Sequence, residues 1–183
     1  MESGKIILEK TRFYITLRRL CEELIENYGD FQDTCIIGVQ PRGVPLADRI
    51  VNFLREELEA SYFTYGKLDI TFYRDDFRTR SKPLSASPTE IDFIVEGKKV
   101  LLVDDVLYTG RSVQAAMTAL QNYGRPESVE LLALVDRRFN RHLPIKANYV
   151  GITVDSLDEA YVRVDWEEGT MANKILLFPK RND

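Results

Sequence analysis

Histidine, cysteine and tryptophan are scarce in this chain of 183 residues, which holds one His, two Cys and one Trp. Cys21 and Cys35 stand apart in apolar surroundings, with no CxxC and no Cys/His pattern. They suit neither a disulfide framework nor a zinc site, and read as buried thiols in a reducing cytosol. No run of 18 apolar residues occurs, so no membrane-spanning helix is expected. Residues 1–9 lack the basic start and long apolar stretch of a secretory leader, and the expected location is cytoplasmic. Internal repeats and low-complexity tracts are missing as well. Positive charge is not in excess: 25 Lys and Arg against 29 Asp and Glu leave a formal charge of −4. Such a balance does not announce a nucleic-acid-binding protein, although a local basic face can hide in the average.

What is present is an ordinary globular composition, 44 % hydrophobic, at a length that suits one compact domain over residues 1–183. Helix and strand signals alternate. Leu17, Leu20, Leu24 and Ile25 recur at helical spacing between Thr11 and Tyr28, with Thr11 as the expected N-cap. Residues 34–39 (TCIIGV) read as a short apolar strand, followed by a turn at 40–43 (QPRG). A helix is expected from Val44 to Glu59, with Leu46, Ile50, Val51 and Leu54 on one face. Residues 68–73 (LDITFY) read as a strand by their β-branched and aromatic content. The runs 100–103 (VLLV) and 129–135 (VELLALV) suit parallel strands buried on both faces, with a helix from Ser112 to Tyr123 between them. Late strands are expected at 149–154, 161–164 and 175–177. The alternation implies an α/β fold of βαβ units, a mainly parallel central sheet flanked by helices.

Residues 74–96 fit no element: Pro83, Pro88, Ser81, Ser85 and Ser87 interrupt any periodicity. A structureless stretch of about 20 residues inside a compact domain reads as a lid.

The most informative stretch is 100–120, VLLVDDVLYTGRSVQAAMTAL. A buried strand ends in Asp104 and Asp105, and the turn Tyr108-Thr109-Gly110-Arg111-Ser112 opens a helix. Backbone N–H groups at a helix start, the positive end of its dipole and two hydroxyls converge there on one anion-binding point. Gly110 permits close approach or a positive φ. Paired carboxylates beside such a pocket suit a ligand with a phosphate at one end and vicinal hydroxyls, or a magnesium ion, near it. A sugar phosphate meets that description, and the carboxyl ends of parallel strands are where α/β folds bind ligands.

The string VLLVDDVLYTGRS resembles the phosphoribosyl-pyrophosphate (PRPP) signature of type I phosphoribosyltransferases. Together with residues 70–76 (ITFYRDD) and 134–145 (LVDRRFNRHLPI), it resembles the bacterial pyrimidine-operon attenuation regulators that carry uracil phosphoribosyltransferase activity. The likeness spans roughly Ile6 to Ile175, with the three motifs in the family's order and spacing. It implies a type I phosphoribosyltransferase fold with a small hood, from about residue 150 to 183 together with the first helix, and a flexible lid at about 74–96. The implied reaction joins uracil and PRPP to give UMP and pyrophosphate with Mg2+, which PRPP and water would mainly hold, aided by Asp136.

The resemblance also implies roles. Asp104 and Asp105 would hold the ribose hydroxyls, and Thr109, Gly110, Arg111 and Ser112 the 5′-phosphate, with Val106, Leu107 and Tyr108 completing the signature. Pro41, Arg42 and Gly43 correspond to the pyrophosphate loop, commonly Thr-Arg-Gly in the family; Arg42 would neutralise charge gathering on the leaving group. Family members often have a non-proline cis bond just before this Arg, and Pro41 leaves the state of the Pro41–Arg42 bond open. Arg74 would reach the pyrophosphate from the lid side, with Asp75, Asp76, Arg78, Arg80 and Lys82 swinging over the site; the plainer reading pairs Arg74 with Asp75 or Asp76 on the surface. Asp136 and Arg137 would lie near magnesium-bound water and the nucleotide, the alternative being an ion pair at the sheet edge. Tyr108 stands where relatives acting on 6-oxopurines carry an Asp that manages the N7 proton, which favours uracil over a purine.

A second implied function is UMP-promoted binding of a hairpin in pyrimidine-operon messenger RNA. Arg18 and Arg19 in the first helix, with Arg12 nearby, and Arg138, Arg141 and Lys146 after the 129–135 strand are the candidate phosphate contacts. Glu22, Glu23 and Glu26 balance the first group. His142, with no further ligands near it, reads as a surface or RNA-facing residue. The family also implies a homodimer or higher assembly. Two alternatives stay open: a purine-base phosphoribosyltransferase, and an RNA-binding regulator that keeps the fold chiefly as a nucleotide sensor.

Overall fold

The computed structural model describes residues 4–59, 62–75, 86–156, 160–167 and 173–179. Along the chain come β1 (Lys5–Glu9), α1 (Lys10–Tyr28), β2 (Thr34–Val39), α2 (Val44–Glu57), β3 (Thr64–Leu68), β4 (Lys99–Leu107), α3 (Arg111–Leu120), β5 (Ser128–Arg137), β6 (Tyr149–Val154), β7 (Tyr161–Asp165) and β8 (Lys174–Phe178). Five strands form a parallel sheet in the order β3-β2-β4-β5-β6. The other three form an antiparallel sheet in the order β1-β8-β7.

The parallel sheet is buried on both faces, which is why β2, β4 and β5 read as continuous apolar runs. Alternate residues point to opposite sides. Ile36, Leu101, Val103, Leu132 and Leu134 meet Leu20 and Leu24 of α1 and Leu46, Ile50 and Leu54 of α2. Cys35, Ile37, Val100, Leu102 and Ala133 meet Val113, Ala116, Ala119 and Leu120 of α3. Cys21 and Cys35 are buried free thiols, and burial pushes Cys21 up to about 12, far from a reactive thiolate.

Several expected boundaries move, each for a local reason. The strand expected at 68–73 instead runs Thr64–Leu68, followed by a 3-10 turn at Thr71–Tyr73. The Asp69 carboxylate accepts both the backbone N–H of Thr71 at 3.1 Å and its hydroxyl at 2.7 Å, so a local turn outbids the β-branched composition. Helix α1 starts at Lys10 with Glu9 as N-cap and no side-chain cap, because β1 feeds straight into it; Thr11 lies inside the first turn. Helix α2 stops at Glu57 and α3 at Leu120, the latter tightening into a 3-10 turn over Gln121–Tyr123. The small sheet also differs from the expected hood: 149–154 joins the parallel sheet as β6, and β1 supplies the edge beside β8. Of the expected lid, residues 76–85 lie outside the described part, and with them Asp76, Arg78, Arg80 and Lys82.

Candidate active site

The parallel sheet reverses its direction of growth between β2 and β4, the place where α/β folds open a crevice. Their pairing ends at Gly38 opposite Val103, yet β4 runs on to Leu107 beside β5. Asp104 and Asp105 therefore sit inside β4, not after it as expected, on the part of the strand that β2 has left. Strand β2 then turns away through a cis Gln40–Pro41 bond; Pro41–Arg42 is trans. Gly43 makes the turn possible. A Cβ there would lie 2.2 Å from the Val103 carbonyl oxygen and 2.7 Å from that of Val39. With only a hydrogen at that position the turn lies against β4, and the exposed Arg42 acts electrostatically on both carboxyls.

Those carboxyls are unusual for acids. Asp104 and Asp105 are 6 % and 5 % exposed, and Asp104 Oδ1 accepts the Asp105 backbone N–H at 2.9 Å. Burial raises the pKa of Asp104 well above the ordinary range, and the neighbouring Asp105 raises it further; Arg42 and Arg74 pull it back in part. Burial likewise raises Asp105 against the opposing pull of Arg42. A pair of acceptors set side by side at the mouth of the crevice, with two arginines acting on them, can receive hydroxyl groups from a ligand. Val106 and Leu107 carry the strand on: Leu107 is buried in the core and Val106 packs at its edge.

The turn that follows completes an anion pocket. Gly110 adopts φ +92 as N-cap of α3 and brings no capping side chain of its own, while Thr109 Oγ1 accepts the Arg111 N–H at 3.4 Å. Arg74 arrives from the far side and donates to Ser112 Oγ at 3.2 Å, while Asp75 forms an ion pair with Arg111. Asp75 is engaged by Arg111, and Asp76, the other acid named for a surface pair with Arg74, lies outside the described residues; Arg74 faces the Thr109–Ser112 turn, within reach of Asp104's field.

The third wall comes from β5. Asp136 pairs with Arg141, whose guanidinium also donates to the Tyr108 carbonyl. The backbone N–H groups of His142 and Leu143 both donate to the Thr109 carbonyl, at 3.0 and 3.3 Å, so the 138–143 loop lies along the turn. Arg141 therefore belongs to the pocket wall and not to an outward basic stretch, because positive φ at Phe139 and Asn140 turns the chain back. An Asp136–Arg137 pair does not form. Arg137 is 4 % exposed, lies 3.8 Å from the Tyr108 ring centroid and donates from Nε to Ser156 Oγ at 2.9 Å. Ser156, itself buried, carried no signal in the sequence; only the approach of the chain after β6 reveals it.

Three more of the cations named above are engaged. Arg18 pairs with Glu22 at 3.4 Å and Arg19 with Glu23 at 3.3 Å, and Arg19 also donates to the Val150 and Gly151 carbonyls of β6. Arg138 binds Asp155 through two bonds of 2.7 Å. Lys146 is exposed near Glu23 and Asn148. Among the described residues no group of three or more His, Cys, Asp or Glu is placed to hold a metal ion.

Comparison with known proteins agrees with this geometry. A family model for the phosphoribosyl transferase domain matches residues 3–168. The bifunctional protein PyrR of Caldicellulosiruptor bescii is 40 % identical over 177 residues, covering 97 % of this chain and 96 % of that protein. Proteins of the same name from Clostridium novyi and Deinococcus radiodurans are 38 % identical over 180 residues and 41 % over 172; they cover 98 % and 94 % of this chain, and the matches span 100 % and 93 % of those proteins. The chain belongs to the phosphoribosyltransferases, and among them to the PyrR family. Solved structures share its fold at low identity. A hypoxanthine-guanine phosphoribosyltransferase of Bacillus anthracis superposes with a TM-score of 0.69 at 13 % identity, covering 96 % of this chain and 99 % of that one. A hypoxanthine phosphoribosyltransferase of Staphylococcus aureus gives 0.67 at 18 %, covering 94 % and 90 %. The type I phosphoribosyltransferase fold thus places the PyrR-family signature at the switch point of the sheet. Among the described residues no helix is long and apolar enough to cross a membrane.

Proposed function

We propose that the protein transfers the phosphoribosyl group of PRPP to N1 of uracil, giving UMP and pyrophosphate, in the cytoplasm. The observation that carries this reading is the buried Asp104–Asp105 pair, set between Arg42, Arg74 and the open N-terminus of α3. The two carboxylates accept the ribose 2′ and 3′ hydroxyls. Residues 109–112 hold the 5′-phosphate through backbone N–H groups. Arg42 and Arg74 approach from opposite sides, where the charge on departing pyrophosphate grows, and stabilise it more in the transition state than in the ground state.

Magnesium, when bound with PRPP, supplies further neutralisation of that leaving charge. The residues present suit an ion that arrives on the substrate: Asp136 is tied to Arg141, and no three-ligand cluster exists among the described residues. Uracil as acceptor is supported by Tyr108, which offers no carboxylate to a purine N7. Side-by-side PRPP assays with uracil, hypoxanthine and guanine test the reading. Turnover of uracil alone is expected; turnover of a purine alone defeats it.

A second role, UMP-promoted binding of pyrimidine-operon leader RNA by a homodimer or larger assembly, is supported by relatives named bifunctional. Arg18 and Arg138 are exposed cations paired with exposed carboxylates, and such pairs contribute little to stability, whereas Arg19 is also anchored on the Val150 and Gly151 carbonyls. RNA phosphates can therefore replace those carboxylates at small cost. Affinity for the leader RNA should fall steeply with salt and rise with UMP. Absence of binding at low salt removes this role.

A further inference from the structure

We infer that Gln40 is a positioning residue for the pyrophosphate half of the reaction: its side-chain amide ties the turn that carries Arg42 to the chain at Pro88, so that Arg42 stands where the leaving group departs only while residues 88–90 lie against β3. The inference rests on the reading above, in which Arg42 serves the departing pyrophosphate.

Three observations carry it. Pro41 and Arg42 are exposed, and the residues on either side of them are buried. A two-residue tip of this kind is aimed from its ends. Gly43 fixes one end by its close packing on the Val103 carbonyl, and Gln40, 8 % exposed, fixes the other. The Gln40 backbone N–H donates to the Leu68 carbonyl at 2.9 Å, and its side-chain Nε2 donates to the Pro88 carbonyl at 2.8 Å. One residue therefore joins the ends of β2 and β3 to a segment 48 positions further along the chain.

That segment is firmly seated, which makes it an anchor. Lys67 and Glu90 exchange two backbone hydrogen bonds, of 2.9 and 2.8 Å, and Lys67 Nζ lies 3.0 Å from Glu90 Oε2. Thr89 Oγ1 accepts the Asp69 backbone N–H at 3.1 Å. Pro88 has no N–H, so its carbonyl is the one backbone group it can pair, and Gln40 pairs it. A long neutral amide suits this place: it supplies a donor without a charge, and leaves the field at Asp104 and Asp105 to the arginines. The acid pair and the 109–112 turn are carried by β4 and α3, whereas the bonds of Gln40 run to Leu68 and Pro88. Losing the tie should therefore disturb the pyrophosphate half of the site and spare the half that holds ribose and 5′-phosphate.

The test compares the parent with Gln40→Met, which keeps the length without the donor, and Gln40→Lys, which keeps a donor, each in the intact chain and with a thermal melt. In Gln40→Met the KM for PRPP and the Kd for inorganic pyrophosphate, both measured with Mg2+, should rise by about tenfold, the effect of one lost hydrogen bond. The Kd for UMP, which carries no pyrophosphate, should stay within about twofold. Gln40→Lys should recover most of the loss, and should do so at about 0.5 M salt, which screens an added charge more than a buried hydrogen bond. Unchanged PRPP KM and pyrophosphate Kd in Gln40→Met overturn the inference, as does an equal rise in the UMP Kd, the mark of general damage. If Gln40→Met melts below the assay temperature, Gln40→Lys decides alone: a pyrophosphate Kd weakened about tenfold at high salt overturns the inference, and a parental one upholds it. Arg42→Ala separates the two levels. If it leaves the pyrophosphate Kd and the PRPP KM unaltered, the part of Arg42 in the reading fails, whatever Gln40 does.

Discussion

At the scale of single residues the site trades stability for chemistry. Burial raises the pKa of both Asp104 and Asp105 above the ordinary carboxyl value of 3.8, so the folded chain holds their protons more tightly than the unfolded one. For acids shifted upward, the penalty on folding is absent below the ordinary value and grows as pH rises towards the folded-state value. Asp104→Asn removes that penalty while keeping an oxygen for the Asp105 N–H. The variant should melt higher than the parent at neutral pH, each kcal/mol gained appearing as ~2–4 °C in a chain of this size. The advantage should vanish below about pH 4, where the parent carboxyls are neutral as well. Its kcat/KM for PRPP should fall by about 10²-fold, because a carboxylate acceptor for the ribose is gone. Melting curves across pH, read beside kinetics, check both halves; equal melting at all pH values would refute the penalty.

Gly43 makes the same point through geometry. A Cβ 2.2 Å from a backbone carbonyl in β4 cannot be relieved by a side-chain rotation, so the turn itself must move. Gly43→Ala should cost about 1–3 kcal/mol in stability. With Arg42 in its proposed role, the rate should fall by about 10²-fold, since a displacement of 1 Å would carry it off the leaving group. A variant with parental kinetics would show that the turn has room to spare.

Among the elements, those with continuous apolar runs were legible and those set by local polar chemistry were not. Strands β2, β4 and β5 and helices α1, α2 and α3 follow from periodicity, because burial on both faces leaves a strong imprint on composition. Strand β3 escaped because Gly66 breaks the pattern and the β-rich residues after it are claimed by the Asp69 turn. Strand β1 has no isolated signal: its five residues gain meaning only from β8, more than 160 positions later. The phosphate turn, the acid pair and the Arg42 loop were all readable as motifs. Ser156 and the inward Arg141 were not, since each depends on where a loop returns.

Across the whole molecule, the small sheet is fastened to the catalytic half through Arg49 of α2. Its guanidinium donates to the Pro45 carbonyl at 2.8 Å, to the Glu167 carbonyl at 3.2 Å and to Asn173 Oδ1 at 3.3 Å, and lies 4.6 Å from the Trp166 ring centroid. Phe13 of α1 meets the same indole with the two rings perpendicular, at 5.6 Å between centroids. Because Trp166 is the sole tryptophan, its emission reports on this joint alone. Arg49→Met should shift that emission to the red as water reaches the indole, and lower stability by about 1–3 kcal/mol. An unchanged spectrum together with an unchanged melting temperature would show that the joint is held by other contacts.

The amino-acid sequence by itself determined the class of fold and the family signature, with its adjacent acids and the glycine turn that follows them. These are encoded locally, in apolar runs and in short motifs whose residues are neighbours along the chain. Tertiary structure alone decided which cations line the pocket and which pair on the surface, how deeply the two acids are buried, and which hydroxyl steadies Arg137. Those outcomes depend on the meeting of segments distant along the chain, where desolvation and approach are set by the packed whole and leave no pattern in the sequence of any one part.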